Sequence, residues 1–315
     1  MVLLNDELKE IYFGAYRFTE TEDGYLMAHQ YTKAQEDYFE KAFKFWFERC
    51  NASTSKTLEF VTEATKVSFD YKLPWIGSED TFELCIDGLI TDIRYIRNME
   101  KEGTISFEMP EGVKNVVIYL PADALAVIRD FTINAKCKKA GKNEKVLWLG
   151  DSITQGYGPL RSAQTYVSVA NRLLNYDIIN QGIGGYIYDP RVLTEMEGYR
   201  PDKIIVALGT NQYGTESMAD IEKYYETITS LYQGVPILMI TPLWRGDNPE
   251  GIPTLAAFCE KLKKIAEKYD VVKVVEGWKL VPHLSEYYLD NLHPNQLGTE
   301  VYARNLVRKI EELQF

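Results

Sequence analysis

Histidine is scarce in this 315-residue chain, which has only His29, His283 and His293. Any chemistry that needs an imidazole must draw on one of these three. Cysteine is nearly as rare. Cys50, Cys85, Cys137 and Cys259 stand far apart, with no CxxC pair and no histidine at ligand spacing. That excludes a zinc knuckle and argues against a disulfide framework. No run approaches the roughly 20 apolar residues that span a bilayer, and the N-terminal MVLLNDELKEIYFG lacks the basic start and apolar stretch of a signal peptide. The expectation is a reduced, cytoplasmic protein with no membrane partner. Positive charge is short as well: residues 1–143 hold 24 acids against 18 bases, and residues 144–315 hold 22 against 17. Neither half offers a basic arm, so nucleic acid is not an expected partner.

What is present is a globular composition, 45% hydrophobic and 26% charged, that can bury a substantial core. The first 140 residues read mainly as strands. Val67, Phe69, Tyr71 and Leu73 alternate with polar residues, as do Phe82, Leu84 and Ile86, then Ile105, Phe107 and Met109. Period-two runs at this spacing predict a β-sandwich with one wet face per sheet. Residues 33–49 suit either a helix face or an alternating strand, and the helix is the preferred reading. The polar stretch Lys136–Asn143 marks the expected boundary between domains 1–143 and 144–315.

Beyond it the texture changes. Short apolar runs at 145–149, 177–180, 203–208, 236–240 and 271–275 are separated by amphipathic segments, clearest at 216–232, 254–269 and 296–313. Strand and helix alternating in this way predict a parallel sheet covered on both faces, with ligands beyond the carboxyl ends of its strands.

The candidate chemistry falls at those ends. The first run leads into Gly150-Asp151-Ser152-Ile153-Thr154-Gln155-Gly156, where a serine in a tight turn can expose its hydroxyl; the plain alternative is a polar turn capping a helix. No G-x-S-x-G elbow occurs anywhere. Near the other end, Asp290 stands three residues before His293, a spacing that lets the carboxylate hold one ring nitrogen and free the other as a base. The same pair suits a metal, but no further ligand set accompanies it, so no metal or organic cofactor is expected. Between them, Asn180-Gln181-Gly182-Ile183-Gly184-Gly185 and Gly209-Thr210-Asn211 can supply hydrogen-bond donors to an oxyanion, or can be ordinary turns.

Together these blocks resemble the SGNH hydrolases, also called the GDSL esterase/lipase family, over about residues 144–315. The resemblance implies a three-layer, flavodoxin-like α/β domain with a central parallel sheet, preceded by a mostly-β, jelly-roll-like sandwich. It implies that Ser152 is the nucleophile, Asp290 the orienting acid and His293 the base. Ser152 N–H, Gly185 N–H and the Asn211 amide would form the oxyanion hole. One position departs from the family's pattern: Gln212 stands where Asp often follows the asparagine. Gly184, where a small serine is common, is a mild substitution.

A sandwich ahead of such a domain also resembles the two-domain carbohydrate esterases that remove acetyl groups from glycans. The expected partner is then a small-molecule or oligosaccharide ester, with Tyr186, Trp244 and Arg245 as candidate substrate contacts. The even charge split suits a neutral sugar ester. Two other readings stay open here: the same chemistry on a lipid or thioester, and an inactive glycan-binding protein.

Overall fold

A computed structural model describes residues 2–215 and 218–315. The first two positions of the amphipathic segment 216–232 lie outside the described residues.

The chain opens with a short helix, α1 (Asn5–Glu10), and two antiparallel sheets follow. One sheet runs in the order β1 (Tyr12–Phe13), β4 (Thr57–Thr62), β9 (Lys114–Tyr119), β6 (Thr81–Ile86) and β7 (Leu89–Tyr95), with β11 (Cys137–Lys139) pairing to β4. The other runs β2 (Arg17–Glu20), β3 (Leu26–His29), β10 (Ala124–Ile133), β5 (Lys66–Ile76) and β8 (Glu102–Glu108). Their facing side chains, among them Phe60, Phe82, Ile118, Phe69, Phe107 and Ile128, form one core. On β5 the alternation Val67, Phe69, Tyr71, Leu73 points inward as the pattern predicts.

On β6 it does not hold. Glu83 and Cys85, expected on a wet face, are as buried as Phe82 and Leu84. The outer face of this sheet is covered by the second half of the chain. Arg161 pairs with Glu83, and the Ala163 N–H donates to the same carboxylate at 3.2 Å. Glu59 is met from the boundary stretch of the first half, by Lys142 at 2.5 Å.

The second half is a three-layer α/β unit. Five parallel strands stand in the order β13 (Asp177–Gly182), β12 (Lys145–Gly150), β14 (Lys203–Ala207), β15 (Ile237–Ile240), β16 (Val272–Val275). The order reverses at β12, which makes the carboxyl ends of β12 and β14 the switch point where ligands bind in such sheets. Residues 147, 149, 204, 206, 237 and 239 face α6 (Met218–Leu231) and α7 (Ile252–Ala266), while residues 146, 148, 205, 238 and 240 face α5 (Tyr166–Leu174) and α8 (Gln296–Glu312).

The ambiguous segment is helical, as α2 (Lys33–Ala42) and α3 (Lys44–Cys50). Thr32 caps α2 by accepting the Gln35 N–H at 3.2 Å. Tyr31, Phe39 and Cys50 join the core beneath the parallel sheet rather than the sandwich core. No helix among the described residues is long and apolar enough to cross a membrane.

The covered sheet face generates a stability prediction. Glu83→Ala strips the partner from Arg161 in a buried contact, so unfolding in urea is expected to show a loss of about 3–5 kcal/mol.

Candidate active site

β12 ends at Gly150, and the Asp151 carboxylate caps the following turn of helix, α4 (Ser152–Gln155), by accepting the Ile153 N–H at 3.1 Å. That turn lies flat on the sheet edge. A methyl group on Gly150 would strike the Thr154 side chain, and one on Gly182 would strike the Gln155 backbone. Ser152 therefore sits half-exposed at the first helical position, where a backbone N–H has no intrahelical acceptor.

The loop before α8 brings the histidine to it. Asn291 takes the left-handed conformation, with φ of +62°. The Asp290 carboxylate then accepts the backbone N–H groups of Leu292 (3.1 Å) and His293 (2.8 Å) through one oxygen, and contacts His293 Nδ1 at 2.8 Å through the other. Burial alone would raise the Asp290 carboxyl, but these hydrogen bonds and the His293 charge outweigh it and hold it below its ordinary value. An ionised carboxylate only accepts, so Nδ1 carries a proton, and Nε2 is the ring nitrogen placed to take one from Ser152. Nε2 lies 2.8 Å from Ser152 Oγ. The imidazole side chain is only 13% exposed, and the Tyr157 ring stands edge-on to it at 4.7 Å.

The loops after β13 and β14 complete the edge. Asn180 donates to Thr154 O (2.8 Å) and Ser55 Oγ (2.9 Å) and accepts from the Gly182 N–H (2.8 Å), which fixes the start of the glycine turn. Gly184 N–H donates to Gln155 Oε1 at 2.7 Å, and Gln155 Nε2 donates to Asp123 Oδ1 at 2.6 Å. Gly185 follows with φ of +69°. Asn211 spends one amide N–H on Tyr186 O at 3.0 Å, and the group carries a second. Gln212, the departure from the family's Asp, accepts the Tyr188 N–H at 2.7 Å and so ties these two loops together.

The structure thus brings Ser152, His293 and Asp290 into one hydrogen-bonded chain, and sets the Gly185 and Asn211 loops on the adjoining strand ends. It does not gather the three candidate substrate contacts in the same way. The Tyr186 ring is 5% exposed and packs between Phe39 and Trp46. Trp244 stacks on His283 at 5.7 Å and leans on Tyr288. Arg245 is occupied by Asp247, at 2.7 Å through two nitrogens, and by Thr210 O at 2.7 Å. Sequence reasoning missed Gln155, Asp123, Phe45 and Arg49. Gln155 was legible as a polar residue in the serine's own turn, whereas the other three come from the first half of the chain and carry no local signal. Among the described residues, no group of three or more His, Cys, Asp or Glu could hold a metal ion.

Such a chain can pass a proton from a hydroxyl to an imidazole and stabilise the imidazolium that results. Residues 148–301 match the GDSL-like lipase/acylhydrolase family. The α/β half belongs to that family. Its class of activity is that of a GDSL-type acyl hydrolase. No curated protein sequence matches the chain. Among solved structures, a salicylyl-acyltransferase from a tetracycline biosynthetic pathway has a TM-score of 0.77 at 18% identity, covering 96% of this chain and 94% of that one. A family two carbohydrate esterase from Cellvibrio japonicus has a TM-score of 0.67 at 15% identity, covering 99% and 97%. Another, from Clostridium thermocellum in complex with cellohexaose, has 0.65 at 18%, covering 84% and 94%. At these identities the likeness is one of fold, and it extends through the sandwich as well as the GDSL domain.

Asp151 gives the GDSL domain a pH-dependent stability. Burial, partly offset by the Ile153 N–H and the Arg245 charge, pushes its carboxyl up to about 7. The folded state therefore holds this proton more tightly than the unfolded chain, and the stability it contributes is lost as pH rises through about 7. Asp151→Asn keeps an acceptor for the cap and cannot ionise. Between about pH 6 and pH 8, thermal unfolding of the variant should lose about 1 kcal/mol less than the wild type does.

Proposed function

We propose that the protein is a serine esterase that works through an acyl-enzyme and removes acetyl groups from carbohydrates. The observation that carries the reading is the relay from Ser152 Oγ to His293 Nε2 and from Nδ1 to Asp290, each contact 2.8 Å, at the switch point of the sheet. His293 Nε2 takes the Ser152 proton as Oγ attacks the ester carbonyl. Ser152 N–H, Gly185 N–H and the free Asn211 N–H stabilise the tetrahedral oxyanion. The C–O bond to the alcohol then breaks, and His293 returns its proton to that leaving oxygen. A water, deprotonated by His293, attacks the acyl-enzyme and releases the acid, restoring Ser152. Asp290 holds the ring and offsets the imidazolium charge in both steps.

The carbohydrate part is supported by the architecture shared with the family two carbohydrate esterases across both halves of the chain. In this reading residues 144–315 are the catalytic domain, and residues 1–143 form an accessory, substrate-contacting domain.

Hydrolysis of 4-nitrophenyl acetate tests the mechanism. Ser152→Ala should leave almost none, and Asn211→Ala should lower kcat by a factor of ~10²–10³. Most of the activity persisting in Ser152→Ala would contradict the mechanism. Comparing acetyl with octanoyl esters tests the acyl group: a preference for octanoyl would favour a lipid or thioester acyl hydrolase over an acetyl esterase.

A further inference from the structure

The glycine turn of the site is walled by the first half of the chain. On α3, Phe45 and Arg49 are four residues apart and share one helix face. The Arg49 guanidinium carbon lies 3.5 Å above the Phe45 ring and 5.4 Å from the ring of Trp75 on β5. Both α3 residues border the turn that carries Gly185. A methyl group on Gly185 would sit 3.8 Å from Phe45 Cε1, and one on Gly184 would sit 3.0 Å from Arg49 Cδ. Gly184 occupies the place where the family commonly has serine. Its missing side chain is what lets the arginine stem lie against the turn.

Arg49 differs from three arginines of the second half of the chain. Arg161, Arg191 and Arg245 are each neutralised by a carboxylate, from Glu83, Asp189 and Asp247 respectively. Among the described residues, no carboxylate oxygen lies within 4.0 Å of the Arg49 guanidinium, and it donates to no acceptor, although the side chain is half-buried. The Arg49 charge reaches the buried Asp123 carboxyl and favours its ionised form, but Asp123 Oδ1 accepts from Gln155 and makes no direct contact with the guanidinium. Stacking on Phe45 occupies a face of the guanidinium and leaves its in-plane N–H donors free. The result is a fork with no carboxylate in direct contact, one residue from the proposed oxyanion donor, in a chain whose net charge of −11 otherwise repels anions. A planar fork of this kind matches a carboxylate bidentately. Phe45, 38% exposed although its ring stacks with Arg49 and Phe43, and the half-buried Trp75 add apolar surface against which sugar C–H groups can pack.

We infer that Arg49, stacked on Phe45 beside Trp75, is a subsite for a carboxylate carried by the substrate, so that the ester hydrolysed is one on an acidic sugar such as a uronate. The inference rests on the carbohydrate-esterase reading and narrows it, because the even charge split of the sequence had suited a neutral sugar.

The test is a binding titration by NMR on Ser152→Ala, which separates binding from turnover. The two probes are methyl glucuronoside and methyl glucoside. The glucuronoside is expected to bind at least about tenfold tighter, the ratio a charge-assisted hydrogen-bond pair supplies. The difference should collapse to below about threefold when Arg49→Gln is added. Equal affinity for the two sugars, binding of neither, or a preference that survives Arg49→Gln overturns the inference. An Arg49-dependent preference in a wild-type protein that hydrolyses no ester would leave the subsite standing and contradict the esterase reading. Efficient release of acetate from neutral sugars with no uronate preference would do the reverse.

Discussion

The close approach of α4 to the edge of the parallel sheet is the constraint on which the site depends. Gly150 and Gly182 are paired across β12 and β13, and neither tolerates a Cβ beneath that single turn of helix. With the turn pressed flat, Ser152 emerges directly above the strand ends, within reach of a histidine delivered from 141 residues further along the chain. Side chains at those two positions would lift the turn, and Ser152 Oγ would leave His293 Nε2. A hydrogen bond is lost within a few tenths of an ångström beyond its normal range, so the proton relay depends on backbone packing before it depends on any polar group.

The two halves of the chain are joined by buried polar contacts that end at this turn. Asp123 from the sandwich holds Gln155, Gln155 holds the Gly184 N–H, and Ser55 accepts from Asn180. These groups are buried, so each would be costly to leave unpaired. The orientation of the glycine turn, and with it the Gly185 N–H, is therefore shared between the halves. At Glu83 the outer face of the sandwich sheet is covered by the α/β unit rather than by water, and α2 and α3 contribute to the core beneath the parallel sheet. The sandwich is in this sense part of the site's scaffold.

Much of this was legible in the sequence, and the limits have physical causes. The five parallel strands stand out because burial on both faces makes each a short continuous apolar run. Ser152 and the Asp290–His293 pair stand out because each belongs to a local block whose spacing has chemical meaning. The wet face expected on β6 was wrong for a reason that period-two patterns cannot register: Glu83 is polar yet buried, because its partner Arg161 lies 78 residues away. Tyr186, Trp244 and Arg245 follow the right strands, but position after a strand does not say where a side chain points. One packs into the core, one stacks on His283, and one closes on Asp247. Conversely, Phe45 and Arg49 lie in a segment with no motif at all, and only the folded chain brings them to the glycine turn.

The central claim is that Ser152 is a nucleophile activated by His293. Its most direct measurement is covalent labelling of the intact protein with a fluorophosphonate, read by mass spectrometry. The account predicts one added phosphonyl group, mapped to Ser152 and absent from a His293→Ala variant that is otherwise folded. No labelling of the folded wild type, or labelling at another residue, would contradict it.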